Sequence, residues 1–367
     1  MIFSTSIVPC STFSIEGKEG SYLGRSLDFP FGHGLAIVNK RNVIKMGLPS
    51  QTEYMKYAAE WKSRYGSVTF NQIARELPYG GMNEKGLVVE QMWLIGGGFA
   101  KPDGRPAVNE LQWMQYQLDN FATVTEVIEN IHKVQIVSTA SELHYMFCDA
   151  GRDCALIDYI AGKPVIYHGK SFPLRVSTNT PYDVSLKNET RSGMAIVSNF
   201  GWNNSVDRFQ ILKKHTAENS IKMSEEAAVD YVFKGLDKVH TKNAVLPFML
   251  KVYAFFAGMF SKATYSNTQW QIVYNTQNNK IYFKNATDEK YKKIDLSRFD
   301  FSCNTPVKTY DLAKHNTGDI VGKFKNYERD ENARIVNASL DGWEDLPQQG
   351  RNFLIEYPEK LLCEETK

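Results

Sequence analysis

Three residues near the start of the chain are of types that can do chemistry together. Cys10 opens the run CSTF, Arg25 follows fifteen positions later, and Asp28 lies three beyond that in LGRSLDF. A thiol is a good nucleophile, yet near pH 7 only a few per cent of it is thiolate, so it needs a base. A cysteine that begins a chain carries one, because an α-amino group titrates at about 7.7–8.0. That amine can accept the thiol proton, directly or through a water, and later return it to a leaving amine. The arrangement requires removal of residues 1–9, MIFSTSIVP. Cys10 could cut its own preceding bond by an N-to-S acyl shift, with Pro9 straining that bond. A carboxylate at Asp28 would orient the new amine. A guanidinium at Arg25 would lower the thiol pKa and stabilise developing negative charge. The plainer alternative is a local Arg25–Asp28 ion pair at a strand end.

The leader itself leaves two readings open. It has no positive region, is short for a signal peptide and ends in Pro rather than a small residue. As the end of a trimmed export signal it would place the protein in the periplasm or outside the cell. As a short propeptide it fits a cytoplasmic protein. The cysteines are Cys10, Cys148, Cys154, Cys303 and Cys363, an odd number at wide spacings, so at least one stays unpaired within the chain. No CxxC, CxxC…HxxxH or HExxH pattern occurs, which argues against a zinc site. Cys148 and Cys154 sit in apolar runs and read as buried small hydrophobes.

The elements that must position Cys10 read as a hairpin. STFSI and SYLGRSLDF form antiparallel strands around the turn KEG. Alternation puts Arg25 and Leu27 on one face and Ser26 and Asp28 on the other, so a bulge or twist is needed to bring both charges to Cys10. Beyond it, LAIVN (35–39) and NVIKM (42–46) read as a second hairpin around Lys40-Arg41. SVTFNQ (67–72) and GLVVEQMW (86–93) read as strands, with ELPYGGMNEKG between them as turn. IGGGFAKPDGRP (95–106) is a loop whose glycines lack a following GK[ST], against a phosphate loop. AVNELQWMQYQLDNF carries Leu111, Met114, Leu118 and Phe121 at helical spacing, and Thr123 caps TVTEVIENIHK.

LHYMFCD (143–149), CALIDYI (154–160) and KPVIYHG (163–169) read as a meander. VDRFQILKKH (206–215) and SEEAAVDYVFKGLDKV (224–239) read as helices, the second capped by Ser224. WQIVYN (270–275) and KIYFKN (280–285) make a late hairpin. Strands and helices in alternating blocks give an α+β fold with antiparallel sheets, two of them packed together with helices outside, in one domain covering residues 10–367.

Composition narrows the class. The chain has 367 residues, 43% hydrophobic and 23% charged, with a net charge of +2. No basic block points to nucleic acid, and no apolar run of about eighteen residues points to a membrane span. The aromatic count, 21 Phe, 19 Tyr and 6 Trp, suits a deep core and an aromatic-lined pocket. YAFFAGMF (253–260) is apolar enough for an interface or a core segment. Asn83 and Gly86 in GMNEKGL read as structural, Gly86 supplying a positive φ. His33 reads as a loop histidine at the entrance and His144 as a satisfied core residue. Neither sits in a papain-type signature.

The runs CSTF…LGRSLDF, GGMNEKGLVVEQMWL, STNTPY and SVDRF, in this order, resemble the choloylglycine hydrolase and penicillin V acylase family, linear amide C–N hydrolases of the N-terminal nucleophile superfamily. The resemblance extends from residue 10 to about residue 285. It implies a four-layer αββα fold, autocatalytic exposure of Cys10 and hydrolysis of an amide in a small molecule. Thiol, amine and hydrogen-bond donors suffice for amide cleavage, so no cofactor is implied, and members of the family are commonly dimers or tetramers. Carried over by position, Cys10 is the nucleophile with its freed amine as base, and Arg25 and Asp28 match the opening motif. Asn179 matches the asparagine that donates to the oxyanion, and Arg208 the arginine that supports the nucleophile. Trp93 falls where the family places a substrate-facing residue whose backbone N–H completes the oxyanion hole. Bile-salt hydrolases tend to have Asn there and penicillin acylases an aromatic, so Trp93 favours an apolar or aromatic acyl group. A conjugated bile salt hydrolase is the alternative, and a non-catalytic small-molecule-binding protein on the same fold the further one.

Overall fold

The computed structural model describes residues 9–138, 142–187, 205–218, 222–240, 267–341 and 348–364. Its centre is the hairpin expected around Cys10. Strands Ser11–Gly17 and Gly20–Phe29 pair antiparallel, with Thr12 opposite Arg25 and Gly17 opposite Gly20. Asn267–Asn275 adds to the second strand and carries the late hairpin with Lys280–Asn285, again as expected. Val176–Ser177 adds to the first strand, completing with Lys292–Asp295 and Gly318–Asp319 a seven-stranded sheet among the described residues.

A second sheet of nine strands is antiparallel throughout and runs from Lys163–His168 at one edge to Lys325–Asn326 at the other. The meander over 143–169 supplies three of its strands, Leu143–Cys148, Cys154–Ile160 and Lys163–His168. The sheets pack face to face. The Phe70 ring of one meets the Phe283 ring of the other at 5.4 Å, and the Tyr274 hydroxyl of one donates to the Glu90 carboxylate of the other at 2.5 Å.

Helices Ser205–Ala217 and Glu225–Lys238 cover the outer face of the first sheet. Gln112–Asn120 and Arg329–Leu340 cover the second. The result is a layered α+β structure, helices outside two sheets that are antiparallel but for the edge pair Lys292–Asp295 and Gly318–Asp319. Gly24 lets one helix close on its sheet: a Cβ there would lie 2.3 Å from a Val232 methyl. Both expected caps are present. Thr123 forms a capping box with Glu126, and the Ser224 hydroxyl accepts from the Ala227 N–H. No helix among the described residues is long and apolar enough to cross a membrane.

Four expectations need correction. Leu35–Asn39 and Val43–Met46 are both strands but do not pair with each other. The first lies between Ser67–Ala74 and Lys308–Asp311, the second between Glu60–Lys62 and Leu362–Cys363 in a separate three-stranded sheet. A two-residue hairpin turn needs positive φ at its centre, which Lys40-Arg41 does not favour. Instead Asn42 takes φ 57° and steers the chain away.

Leu77–Asn83, read as turn, is a fully buried strand. Its glycines serve close approach rather than reversal: a Cβ on Gly80 would fall 2.3 Å from the Glu90 carboxylate. The reversal is confined to residues 84–87, where Gly86 has the expected positive φ of 83°. Ala107–Val108 is a short strand rather than the start of a helix. The helix begins at Gln112, after the Asn109 carboxamide oxygen accepts from the N–H groups of Leu111 and Gln112. Finally, Cys148 and Cys154 are not free hydrophobes. They stand directly opposite each other on adjacent strands and form a disulfide, and Cys303 pairs with Cys363. Cys10 is left as the free thiol. The apolar run 253–260 lies outside the described residues.

This cysteine arithmetic is directly testable. Unreduced protein unfolded in guanidinium should show one thiol to Ellman's reagent, and a Cys10→Ala variant none. Three or more reactive thiols would break the pairing.

Candidate active site

Strand register brings the chemistry together. Thr12 pairs with Ser177 and the strands run antiparallel, so the same register sets Cys10 opposite Asn179. The Cys10 N–H donates to the Asn179 side-chain oxygen at 3.0 Å. Arg208, one turn into its helix, donates to that oxygen at 2.7 Å, to the Ser11 hydroxyl at 2.7 Å and to the Cys10 carbonyl. Two donors converging on one oxygen fix the orientation of the Asn179 amide. Its nitrogen points the other way and donates to the Trp93 carbonyl at 2.8 Å. A carboxamide nitrogen carries two protons, so a second remains for another acceptor.

On the other side, the Arg25 guanidinium reaches the Cys10 sulfur at 3.8 Å. While the pairing with Ser11–Gly17 is regular, opposite Leu27 and Asp28 the neighbouring strand shifts register between Thr268 and Trp270. There the Thr268 hydroxyl donates to the Asp28 carboxylate. All five charged or polar candidates are buried: Cys10, Arg25, Asp28, Asn179 and Arg208 are each at most 2% exposed. Trp93 is half-buried at the end of its strand.

The electrostatics keep the sulfur protonated. Burial pushes the Cys10 thiol up from its ordinary value. The Arg25 charge pulls it down, the Asp28 charge pushes it up, and the Asp28 backbone N–H and Arg208 pull it down. Burial wins, so a base is needed to make the thiolate.

The strand Val88–Trp93 supplies the remaining polar groups from its backbone. Leu94 N–H donates to the Glu142 carbonyl, which marks Trp93–Leu143 as a non-hydrogen-bonded pair. Trp93 and Gln91 therefore direct their N–H and C=O away from the meander. The regular pairing with Leu77–Asn83 ends at Gly80–Glu90. Arg25 takes the Gln91 carbonyl at 3.1 Å, and Asn179 takes that of Trp93. The Trp93 N–H points to the same edge.

Several residues were missed from sequence. Glu90 pairs with Arg25 at 2.7 Å beneath the sulfur, both side chains 1% exposed. Burial pushes its carboxyl up to about 7 against the pull of Arg25 and the Tyr274 hydroxyl. A glutamate inside the apolar run LVVEQMW was the available signal. The Ser205 hydroxyl accepts from the backbone N–H groups of Asn179 and Thr180 at 2.9 and 2.8 Å. It sits three residues before Arg208, on the same helix face. Tyr79 is close enough to feel both Arg25 and Cys10, and its ring packs edge-on to Phe29, which follows Asp28. Nothing in the sequence marked Thr268 or Tyr79.

The other candidates lie apart from the thiol. The His33 ring stacks on Phe31 and bonds Ser339. Both His144 nitrogens are partnered within its own surroundings, as a satisfied core residue would be. Asn83 donates to the carbonyls of Leu118 and Phe121 and accepts from the N–H groups of Lys85 and Leu87, a structural role.

Helices enclosing two face-to-face, mainly antiparallel sheets, with a free cysteine at the head of the strand Ser11–Gly17, match the class of the N-terminal nucleophile hydrolases. Residues 10–210 match the family of linear amide C–N hydrolases, choloylglycine hydrolase family, and the chain belongs to that family. It is a hydrolase acting on carbon–nitrogen bonds other than peptide bonds. It is 26% identical over 275 residues to the penicillin V acylase of Pectobacterium atrosepticum, covering 67% of this chain and 70% of that one. The solved penicillin V acylase of Agrobacterium tumefaciens superposes with a TM-score of 0.70 at 25% identity, covering 87% of this chain and 98% of that one. A mutant of the conjugated bile acid hydrolase of Clostridium perfringens superposes with a TM-score of 0.63 at 17% identity, covering 84% and 98%, and shares the fold.

One buried acid near the site gives a stability test. Burial pushes the Glu110 carboxyl up to about 7 from 4.5, against hydrogen bonds from its own backbone, Ser138 and Ser50. The folded state thus holds this proton more tightly than the unfolded one. Its contribution is complete below about 4.5 and is lost as pH rises through about 7. Replacing Glu110 by Gln should stabilise the fold relative to wild type increasingly from pH 5 to pH 8, by up to about 3 kcal/mol, read as a growing difference in Tm. Parallel curves would mean that the carboxyl ionises normally.

Proposed function

We propose that the chain is an N-terminal-cysteine amidohydrolase that cleaves the linear amide of an N-acyl small molecule, as a penicillin V acylase does. Residues 1–9 are removed and 10–367 act as one hydrolase domain. The observation that carries this reading is the Cys10 nitrogen held on Asn179 while Arg25 reaches the sulfur of the same residue. The family match also begins at residue 10.

In the reaction, the freed α-amine of Cys10 takes the thiol proton, and the sulfur attacks the substrate carbonyl carbon. The remaining Asn179 amide proton and the Trp93 N–H meet the oxyanion, a pair of donors of which each contributes about 2.7–4 kcal/mol when well placed. Collapse breaks the C–N bond, and the ammonium of Cys10 returns its proton to the departing amine. The thioester is then hydrolysed by a water that the amine deprotonates, releasing the acid and restoring the thiol. Asp28 and Arg208 hold the amine end of the nucleophile, and Arg25 offsets charge at the sulfur. A buried thiol pushed above its ordinary value fits a mechanism in which the base acts at the moment of attack.

Trp93, half-buried at the strand end where its carbonyl takes the Asn179 amide, supports an aromatic or aliphatic acyl group over a steroid acid. Penicillin V and N-acyl homoserine lactones are the leading substrates, and long-chain fatty acyl amides come next.

Active protein should show an intact mass that begins at Cys10, and Cys10→Ala should lose at least about a thousand-fold in kcat. A panel of phenoxyacetyl, aliphatic, long-chain and bile-acid amides, followed by released amine, should favour the first two. Full activity in protein that still begins at Met1 would remove the amine mechanism, and turnover of bile-acid conjugates alone would overturn the acyl preference. Trp93→Ala keeps the backbone donor and deletes only the ring. It should raise KM for a phenoxyacetyl amide about tenfold, equivalent to about 1.4 kcal/mol, with kcat little changed.

A further inference from the structure

His144 is fully buried on the strand Leu143–Cys148 and faces an acceptor at each ring nitrogen. Nδ1 lies 2.8 Å from Asp158 Oδ1, and Nε2 lies 2.6 Å from the Thr178 carbonyl oxygen. A carbonyl cannot donate, so Nε2 carries a proton. The bond to Asp158 then requires another proton between nitrogen and carboxylate. The pair therefore holds a shared proton, as imidazolium with carboxylate or as imidazole with carboxylic acid. Without it, two lone pairs would face each other at 2.8 Å between two fully buried side chains.

The two ends of this dyad grip the two sides of Asn179. His144 holds the carbonyl of the residue before it. Asp158 Oδ2 accepts the N–H of Tyr182, three residues after it, at 2.9 Å. Between these points Ser205 takes the N–H groups of Asn179 and Thr180, and the Ile95 N–H donates to the Asn179 carbonyl at 2.8 Å. The short turn 178–182 leaves the sheet after Ser177 and has no ladder of its own. Its backbone position is thus set largely by side chains, with the Ile95 N–H, and the dyad is the ionisable, fully buried part of that set.

We infer that His144 and Asp158 are positioning residues, a proton-sharing dyad that fixes the turn carrying Asn179 and so aims its amide at the reacting carbonyl. This rests on the amidohydrolase reading. The dyad touches neither substrate nor sulfur, and it acts through Asn179 alone. A misplacement of about 1 Å at such a donor can cost on the order of a hundredfold in rate.

Two substitutions separate the grips. His144→Asn puts an amide nitrogen near the Nδ1 position, which keeps the donation to Asp158 and loses that to Thr178. His144→Gln places its nitrogen near Nε2 and keeps the donation to Thr178. On the best amide of the panel, with Tm followed in parallel, His144→Asn should lower kcat ten- to hundredfold with KM within about twofold. His144→Gln should retain kcat within about fivefold. Asp158→Asn can donate to a neutral His144 and still accept from Tyr182, and should also keep most of kcat.

Folded His144→Asn protein with wild-type kcat would overturn the inference. So would equal losses in the Asn and Gln variants that track Tm, since that is what a purely structural role gives. If His144→Asn does not fold, the Gln and Asp158→Asn variants decide the matter: retention of kcat supports the positioning role, and a loss like that expected of His144→Asn overturns it. A wild-type protein inert to the whole panel would instead sink the amidohydrolase reading, and the dyad's role with it.

Discussion

A single carboxamide oxygen, that of Asn179, joins the three parts of the candidate site. It accepts from the Cys10 nitrogen at the head of the strand Ser11–Gly17 and from Arg208 on the covering helix. Because both donors claim the oxygen, the nitrogen of the same amide must face the other sheet, where it meets the Trp93 carbonyl. Seven-stranded sheet, nine-stranded sheet and helix layer are thereby fixed against one another at one planar group. The orientation of that group follows from donor chemistry, since an amide cannot accept at its nitrogen.

Burying this much polarity is costly unless every group is partnered. Arg25 goes most of the way, with only its Nη1 lacking a hydrogen-bond partner among the described residues. Its guanidinium spans the inter-sheet space, meeting the Glu90 carboxylate, the Gln91 carbonyl and the Cys10 sulfur. Glu90 in turn takes the Tyr274 hydroxyl and occupies the volume that Gly80 leaves open. The same interface that packs Phe70 against Phe283 elsewhere is polar here. The site is therefore a polar region of the core rather than a surface cleft with charges on its rim.

Much of the fold was legible locally. The Cys10 hairpin, the meander over 143–169, the late hairpin and the two caps at Thr123 and Ser224 follow from period, turn residues and capping chemistry, all of which act within about ten residues along the chain. Errors came where a distant partner decided. Gly80 and Gly81 looked like a turn because their lack of a side chain has two uses, and only the position of Glu90 shows which applies. The Lys40-Arg41 pair separates strands of two different sheets, a matter of long-range pairing. Cys148 and Cys154 were half legible: the meander already placed them at facing strand ends, but their apolar setting masked the bond.

The sequence by itself determined that Cys10, Arg25 and Asp28 share one hairpin, because local alternation and a short turn leave little choice. It also determined the family, through four short runs in a fixed order. Only the tertiary structure decided that Asn179 and Arg208 reach Cys10, that Glu90 lies under Arg25, and that a buried histidine and aspartate flank the Asn179 turn. Those contacts join residues up to 198 positions apart. They depend on the register of non-neighbouring strands and on the seat of a helix, which are set by the burial of whole faces and not by the residues that use the result.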